Sequence, residues 1–247
     1  PKSVMDWNGC ADLAKTRKQE IHMGQLFGFC VMKIAELKEN DEWRKYKYRV
    51  VFQGNAVVNK AWQAAIFQEL GCQPAAMEAT KICNAMGCAP GNVSQQLDIK
   101  QAYIQAYLEG NDTWVMIPRE AWDLVAGKGV WQKAAEEFER KHGRQWRPVV
   151  RMHKALYGHP DAGALWERYC LKTLLALGFT PIPNWGTCYT HKEDNLFLTV
   201  YVDDMQMAGP KVHVEQMWKN ISEVLECDDP TDMDLYLGCL QERKEIW

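Results

Sequence analysis

Two short apolar runs, residues 196–202 and 205–208, meet across the pair Asp203-Asp204. Their length and composition suit the two strands of an antiparallel hairpin. Tight hairpin turns favour Asn-Gly or Asp-Gly, because the central residues take up positive φ. Two adjacent carboxylates at the turn break that preference, and breaks of this kind concentrate at functional positions. Two like charges about 4 Å apart repel by roughly 4 kcal/mol at an effective dielectric near 20. A fold that holds them together calls for a compensating cation, and a divalent metal ion meets that need.

The rest of the chain alternates irregularly between strand and helix signals. Residues 26–34 and 46–53 read as strands joined by a polar stretch, which makes a basic hairpin. Pro74 can open a helix that Gly87 closes. Residues 96–99 suit a strand in which Leu97 and Ile99 face one way and Asp98 the other. Residues 114–118 read as a further strand, and 120–140 as a helical region weakened by Gly127 and Gly129. Residues 149–156 suit extended chain. Gly158-His159-Pro160 then turns it, and Asp161 can cap a helix that runs to Leu177 and stops at Gly178. Strands are expected at 187–190 and 196–208. The clearest helix follows, with Val214, Met217, Trp218, Ile221, Val224 and Leu225 at helical spacing. Residues 235–240 suit a closing strand. This order predicts an α+β fold in which helices back an antiparallel sheet.

No apolar stretch approaches the roughly 18 residues of a spanning helix, so no membrane partner is expected. Nine cysteines without a Cys-x-x-Cys or zinc-type spacing predict reduced, mostly packed thiols in a reducing compartment. The net charge of −3 hides opposite poles. Arg44, Lys45, Lys47 and Arg49 alternate with Trp43, Tyr46 and Tyr48. Residues 141–154 carry Lys141, Arg144, Arg147, Arg151 and Lys154 with no acidic residue. Cations interleaved with aromatics suit phosphate contacts and base stacking; the plainer alternative is a solvated face. Acidic residues gather at 223–234, without the order or the glycine of a calcium loop. Gly127-Lys128-Gly129 lacks the spacing of a phosphate-binding loop.

Asp98-Ile99-Lys100-Gln101-Ala102-Tyr103, then Leu156-Tyr157-Gly158 before a helix containing Trp166, then Tyr201-Val202-Asp203-Asp204, then Leu237-Gly238 occur in that order. With the basic strand 45–51 ahead of them, they span residues 27–240. The ordered set resembles the polymerase motifs of reverse transcriptases, and more narrowly those of the Ty1/copia retrotransposons. The resemblance implies a right-hand polymerase with fingers and palm, an antiparallel palm sheet backed by helices, a fingers β-hairpin, and a thumb that is incomplete or absent. Fingers and the N-terminal approach would cover 1–95, with the hairpin at about 26–53. The palm would cover 96–247, with 119–160 contributing partly to the fingers.

The same resemblance implies an RNA-directed DNA polymerase that extends a primer on an RNA or DNA template with deoxynucleoside triphosphates. In-line attack of a primer hydroxyl on an α-phosphorus builds charge on two oxygens together, which two Mg²⁺ ions, or Mn²⁺ in their place, can clamp. Asp98, Asp203 and Asp204 would be catalytic, and would hold the metals together with the Ile99 carbonyl. Lys33, Lys47, Arg49, Tyr103, Tyr157 and Gly158 would bind the nucleotide, Tyr103 excluding a 2′-hydroxyl. Tyr201, Leu237, Gly238, Arg147 and Arg151 would meet the primer-template. A chain that begins at Pro1 reads as a segment of a polyprotein carrying integrase and ribonuclease H, housed in a cytoplasmic particle with a nuclear stage; no targeting signal is visible. After Gly158, however, the family's leucine-lysine-glutamine-alanine-proline-arginine is replaced by His159-Pro160-Asp161-Ala162-Gly163-Ala164. Two cations are lost and one anion is gained. One alternative is therefore a decayed element that keeps the fold and binds nucleic acid without turnover. A carboxylate-dependent metal hydrolase is another.

Overall fold

The hairpins and helices read from the sequence assemble into an α+β chain. The computed structural model describes residues 4–33, 44–65, 67, 77–236, 239–241 and 244. In chain order its elements are β1 (Val4–Asp6), α1 (Trp7–Thr16), β2 (Ile21–Lys33), β3 (Lys45–Phe52), β4 (Val58–Asn59), α2 (Met77–Gly87), β5 (Asn92–Asp98), α3 (Ala102–Gln105) and β6 (Asp112–Met116). They continue with α4 (Trp122–Ala126), α5 (Val130–His142), β7 (Pro148–Arg151), α6 (Ala162–Ala176), β8 (Thr180–Ile182), β9 (Trp185–His191), β10 (Leu196–Tyr201) and β11 (Asp204–Pro210). Last come α7 (Lys211–Ser222), β12 (Thr231–Asp232), β13 (Leu235–Tyr236) and β14 (Cys239–Leu240). Among the described residues no helix is long and apolar enough to cross a membrane.

Two compact units emerge. The first takes the described residues of Pro1–Glu69 and Tyr107–Ala162. Its sheet runs β1-β7-β6-β2-β3, with β4 also paired to β2, and only β2 and β6 run parallel. The basic hairpin has the expected antiparallel register, from Leu26↔Phe52 to Lys33↔Lys45. Residues 45–50 of β3 are exposed, and only Val51 and Phe52 enter the core. Helix α1 buries Trp7, Cys10, Ala11 and Ala14, spaced i, i+3, i+4 and i+7, against Ile21, Met23 and Val149. Gly127 (φ +92°) and Gly129 (φ +72°) separate α4 from α5, so the one weakened helical region expected over 120–140 is two helices. Beyond them Trp122, Trp131 and Trp146 pack edge to face with centroids 5.8–5.9 Å apart. The extended stretch expected over 149–156 stops at Arg151, and only a single bridge, Tyr107↔Lys154, continues it.

The second unit takes the described residues of Leu70–Ala106 and Gly163–Trp247. Its sheet runs β12-β5-β11-β10-β9-β8 with every pairing antiparallel. Alternation splits each strand between two cores. Leu97, Leu198, Met205 and Met207 meet Trp166 and Leu174 of α6 and Val214, Trp218 and Ile221 of α7. Phe197, Ala208 and Cys188 face the other way, onto Ala79 and Cys83 of α2. Helix α2 starts at Met77, and Pro74, expected to open it, lies outside the described residues. So do residues 36–43 of the hairpin connection.

Two local expectations are corrected. Val224 is exposed, because α7 ends at Ser222 and the chain leaves the helical path before reaching it, although Leu225 returns to the core. Residues 235–240 do not make one strand: β13 and β14 pair with each other, Tyr236 opposite Cys239, so the segment doubles back on itself. The eight described cysteines are free, as their spacing suggested. Burial pushes the Cys10 thiol up to about 11, and those of Cys83 and Cys170 to about 12.

Candidate active site

Strands β5 and β11 pair with Asp98 directly opposite Asp204. The Ile99 N–H donates to the Asp203 carbonyl at 2.7 Å. Hydrogen-bonded and non-hydrogen-bonded pairs alternate along an antiparallel ladder, so 98/204 is the closer kind, with Cα atoms about 4.5 Å apart. Both side chains leave the face that also carries Gln96, Gln206 and Ser94. Asp203 stands at the tip beside them. The three acids expected from the sequence are therefore neighbours on the backbone, as metal sharing requires.

The turn itself differs from expectation. Tyr201 pairs with Asp204, leaving Val202 and Asp203 as the two turn residues, so Asp204 is the first residue of β11 rather than part of the turn. Positive φ falls on Val202, at +56°. A β-branched residue there is a true outlier, costing on the order of 1–3 kcal/mol. Trp166, buried in α6, donates its indole N–H to the Val202 carbonyl at 2.6 Å and holds that conformation.

Asp98 is clamped from its other side as well. Its carbonyl accepts the Asp228 N–H at 2.9 Å, and the Lys100 N–H donates to Glu226 at the same distance. The Gln105 amide donates to the carbonyls of Lys100 and Glu226 and accepts the Glu226 N–H. Lys100 pairs with Asp228 at 3.1 Å, which raises the lysine pKa. The acidic stretch after α7 thus fastens the strand that presents Asp98.

Burial, followed by the charges of Asp203 and Asp98, pushes the Asp204 carboxyl up to about 6. Tyr236 is buried close by, and burial and Asp204 raise its hydroxyl; that oxygen has no hydrogen-bond partner among the described residues. Like charges directly opposite on a sheet are destabilising. Among the described residues no group of three or more His, Cys, Asp or Glu side chains is already arranged around a metal position. The backbone brings the three acids together at one end of the β5–β11 ladder. All three are oxygen donors, which suits Mg²⁺ held by a few carboxylates plus water and substrate phosphate. The donor set therefore fits a hard divalent ion. Tyr103, on α3, lines a cavity of about 140 Å³ in this unit with Trp166, Tyr189, Tyr201 and Val202.

In the first unit, Lys47 and Arg49 lie exposed on β3 opposite Val31 and Phe29. The Arg49 guanidinium is 6.0 Å from the Tyr157 ring centroid, and the Phe52 N–H donates to the Tyr157 carbonyl at 2.8 Å. Gly158 has φ +89°, and a Cβ there would come within 2.2 Å of the Phe52 carbonyl oxygen. Arg49, Tyr157 and Gly158 are thus brought together. Lys33 pairs with Lys45 through its backbone, while its side chain, like Leu237 and Gly238, lies outside the described residues.

The second basic block proves less available than its charge suggested. Arg151 pairs with Asp112 at 2.5 Å, Arg144 with Asp6 at 2.8 Å, and Lys154 sits 3.5 Å from the Tyr107 ring centroid. Arg147 lies over Trp62 at 4.7 Å. The unusual 159–164 segment has a structural explanation. His159 is buried against Phe52 and Phe67, its Nδ1 accepts the Asp161 N–H at 3.2 Å, and burial pulls its pKa down. The Ala162 N–H returns to the His159 carbonyl at 3.0 Å, which turns the chain into α6. Sequence reasoning missed the roles of Trp166, which a motif marks without revealing its partner, and of Gln105, which no motif marks: both bond to segments far along the chain.

A family model described as reverse transcriptase (RNA-dependent DNA polymerase) matches residues 29–245, most of the chain. No curated protein matches it. Reverse transcriptases join deoxynucleotides to a primer on a nucleic-acid template and use divalent metals such as Mg²⁺. The ordered motifs, the paired acids and this match together place the chain in the reverse transcriptase (RNA-dependent DNA polymerase) family.

Proposed function

We propose that this chain is the polymerase domain of a Ty1/copia-like retroelement, extending a primer with deoxynucleoside triphosphates by two-metal-ion nucleotidyl transfer. The observation that carries the reading is the β5–β11 register, which sets Asp98 opposite Asp204 beside the Asp203 turn. Asp98, Asp203 and Asp204, with the Ile99 carbonyl, would hold the metals. When bound, Mg²⁺ or Mn²⁺ supplies positive charge for the attacking and leaving oxygens. Tyr103 excludes the 2′-hydroxyl. Lys33, Lys47 and Arg49 grip the triphosphate, and Tyr157 and Gly158 flank nucleotide and template. Tyr201, Leu237, Gly238, Arg147 and Arg151 serve the primer-template. We assign fingers to the unit carrying the 26–53 hairpin, with 119–160 on that side, and palm to the unit carrying the carboxylates. Ribonuclease H and integrase belong to the same polyprotein in this reading.

The test is incorporation of one deoxythymidine on poly(rA)/oligo(dT) with Mg²⁺, by the wild type and by Asp203→Asn. Incorporation by the wild type alone supports the proposal. Duplex binding without incorporation by either assigns the chain to the decayed class, and phosphodiester cleavage without nucleotide assigns it to a hydrolase.

A further inference from the structure

Trp62 lies outside every motif discussed above, yet among the described exposed aromatics of the first unit it alone has positive φ. Its φ is +63°, a region bulky residues avoid. Such a conformation persists only when its surroundings over-determine it. Here they do. The Asn59 carboxamide oxygen accepts the N–H groups of Ala61 and Gln63 at 2.9 and 3.0 Å. The Trp62 N–H donates to the Asn59 carbonyl at 3.0 Å, and the Asn59 N–H donates to that of Gln63 at 2.8 Å. Lys60 is fastened separately, to the Gln19 carbonyl and to Glu20.

All this bonding holds an indole that remains 46% exposed. Its edge meets the fully buried Trp7 at 6.3 Å and 86°, so the ring is braced against the core while keeping a large surface in water. The Arg147 guanidinium stands 4.7 Å from its centroid. Among the described residues Arg147 has no carboxylate partner, in contrast to Arg144 and Arg151 on either side. Its position is set through the backbone: the Arg147 N–H donates to Asp6 at 3.1 Å, and the Trp7 N–H donates to the Arg147 carbonyl at 3.0 Å. Residues 140–147 add Arg140, Lys141, His142 and Arg144, with no acidic residue. A half-exposed indole held in place beside a guanidinium that has no carboxylate partner among the described residues, in a basic neighbourhood, has the chemistry of a base-stacking platform with a phosphate contact.

We infer that Trp62 and Arg147 form a binding site for unpaired nucleic acid, one base stacking on the indole and its phosphate meeting the guanidinium. The inference rests on the nucleic-acid reading above but uses none of the carboxylates. Self-association of the chain through the same aromatic is the competing use.

The test is fluorescence anisotropy of a labelled 15-nucleotide oligo(U) at two salt concentrations, on the full chain in an Asp203→Asn background so that chemistry plays no part. Trp62→Ala should weaken binding about tenfold, within the range for one aromatic–base stack, and Trp62→Phe should retain most of it. Arg147→Gln should lower the salt slope by about one. Photocrosslinking with 4-thiouridine supplies a readout that does not depend on a variant folding, and the crosslink should map to Trp62. Wild-type affinity in a folded Trp62→Ala protein, or crosslinks only elsewhere, overturns the inference, as does Trp62-dependent dimerisation without any effect on oligo(U). Because the readout is binding in an inactive background, its failure leaves the polymerase reading intact, and loss of incorporation alone would leave this one intact.

Discussion

Asp204→Asn should make the metal-free protein more stable while disabling its site. Folding raises the Asp204 carboxyl from 3.8 to about 6 through burial and the charges of Asp203 and Asp98. At about 1.4 kcal/mol per pH unit, holding that group ionised at pH 7 costs up to about 3 kcal/mol. Partial exposure lets water screen the repulsion, which brings the cost to roughly 1–2 kcal/mol. The sign follows from proton uptake. Between pH about 4 and about 6 the folded state binds more protons than the unfolded chain, so wild-type stability falls as pH rises through that window and is level above it. An amide cannot ionise and escapes the loss. In thermal melts with chelator, the variant should therefore melt about 2–6 °C above wild type at pH 7, by the usual scaling for a chain of this size. The two should coincide near pH 4. Adding Mg²⁺ should raise the wild-type midpoint by mass action and that of the variant much less. A variant less stable than wild type at pH 7, or one with the same gain at pH 4 and pH 7, would refute the claim that burial and the charges of Asp203 and Asp98 raise the Asp204 carboxyl.

Trp166→Phe removes the donor that holds the Val202 carbonyl; kcat should fall at least tenfold with KM for nucleotide little changed, and calorimetry should show weaker Mn²⁺ binding, whereas a pure stability loss would leave Mn²⁺ affinity untouched. Gly158→Ala must force a Cβ against the Phe52 carbonyl at positive φ, so we expect about 2–4 kcal/mol of destabilisation in urea melts; a loss below 0.5 kcal/mol would contradict the described geometry. Tyr103→Val should admit ribonucleotides in primer extension, and unchanged sugar discrimination would remove Tyr103 from the gate.

The parts of this fold legible in sequence are those governed by local period. Val214, Met217, Trp218 and Ile221 announce α7 and are buried as their spacing suggests. Leu97 and Ile99 point inward around an exposed Asp98, as alternation requires. Gly127 and Gly129 mark the break between two helices because only glycine adopts their φ cheaply. Partners are less legible than faces. Alternation says that Asp98 leaves one side of its strand, but not that Asp204 lies opposite, because the pairing joins distant segments and its register is set by the whole sheet. The parallel contact of β2 with β6 and the turn-back of β13 on β14 escaped for the same reason. Turn chemistry misled at one point: Asp is the better-tolerated residue at positive φ, yet Val202 takes it, because a tryptophan far away in sequence fixes its carbonyl. Charge runs show composition but not partners: Arg144 and Arg151 pair with Asp6 and Asp112, acids that no local pattern connects to them.

The decisive measurement is anomalous diffraction from crystals of this chain grown with Mn²⁺, primer-template and a non-hydrolysable deoxynucleotide. We expect a manganese peak about 2.0–2.3 Å from carboxylate oxygens of both Asp98 and Asp203, with Asp204 and the Ile99 carbonyl beside it. Ordered nucleotide with no peak between these residues, or with manganese bound only elsewhere, would contradict the account.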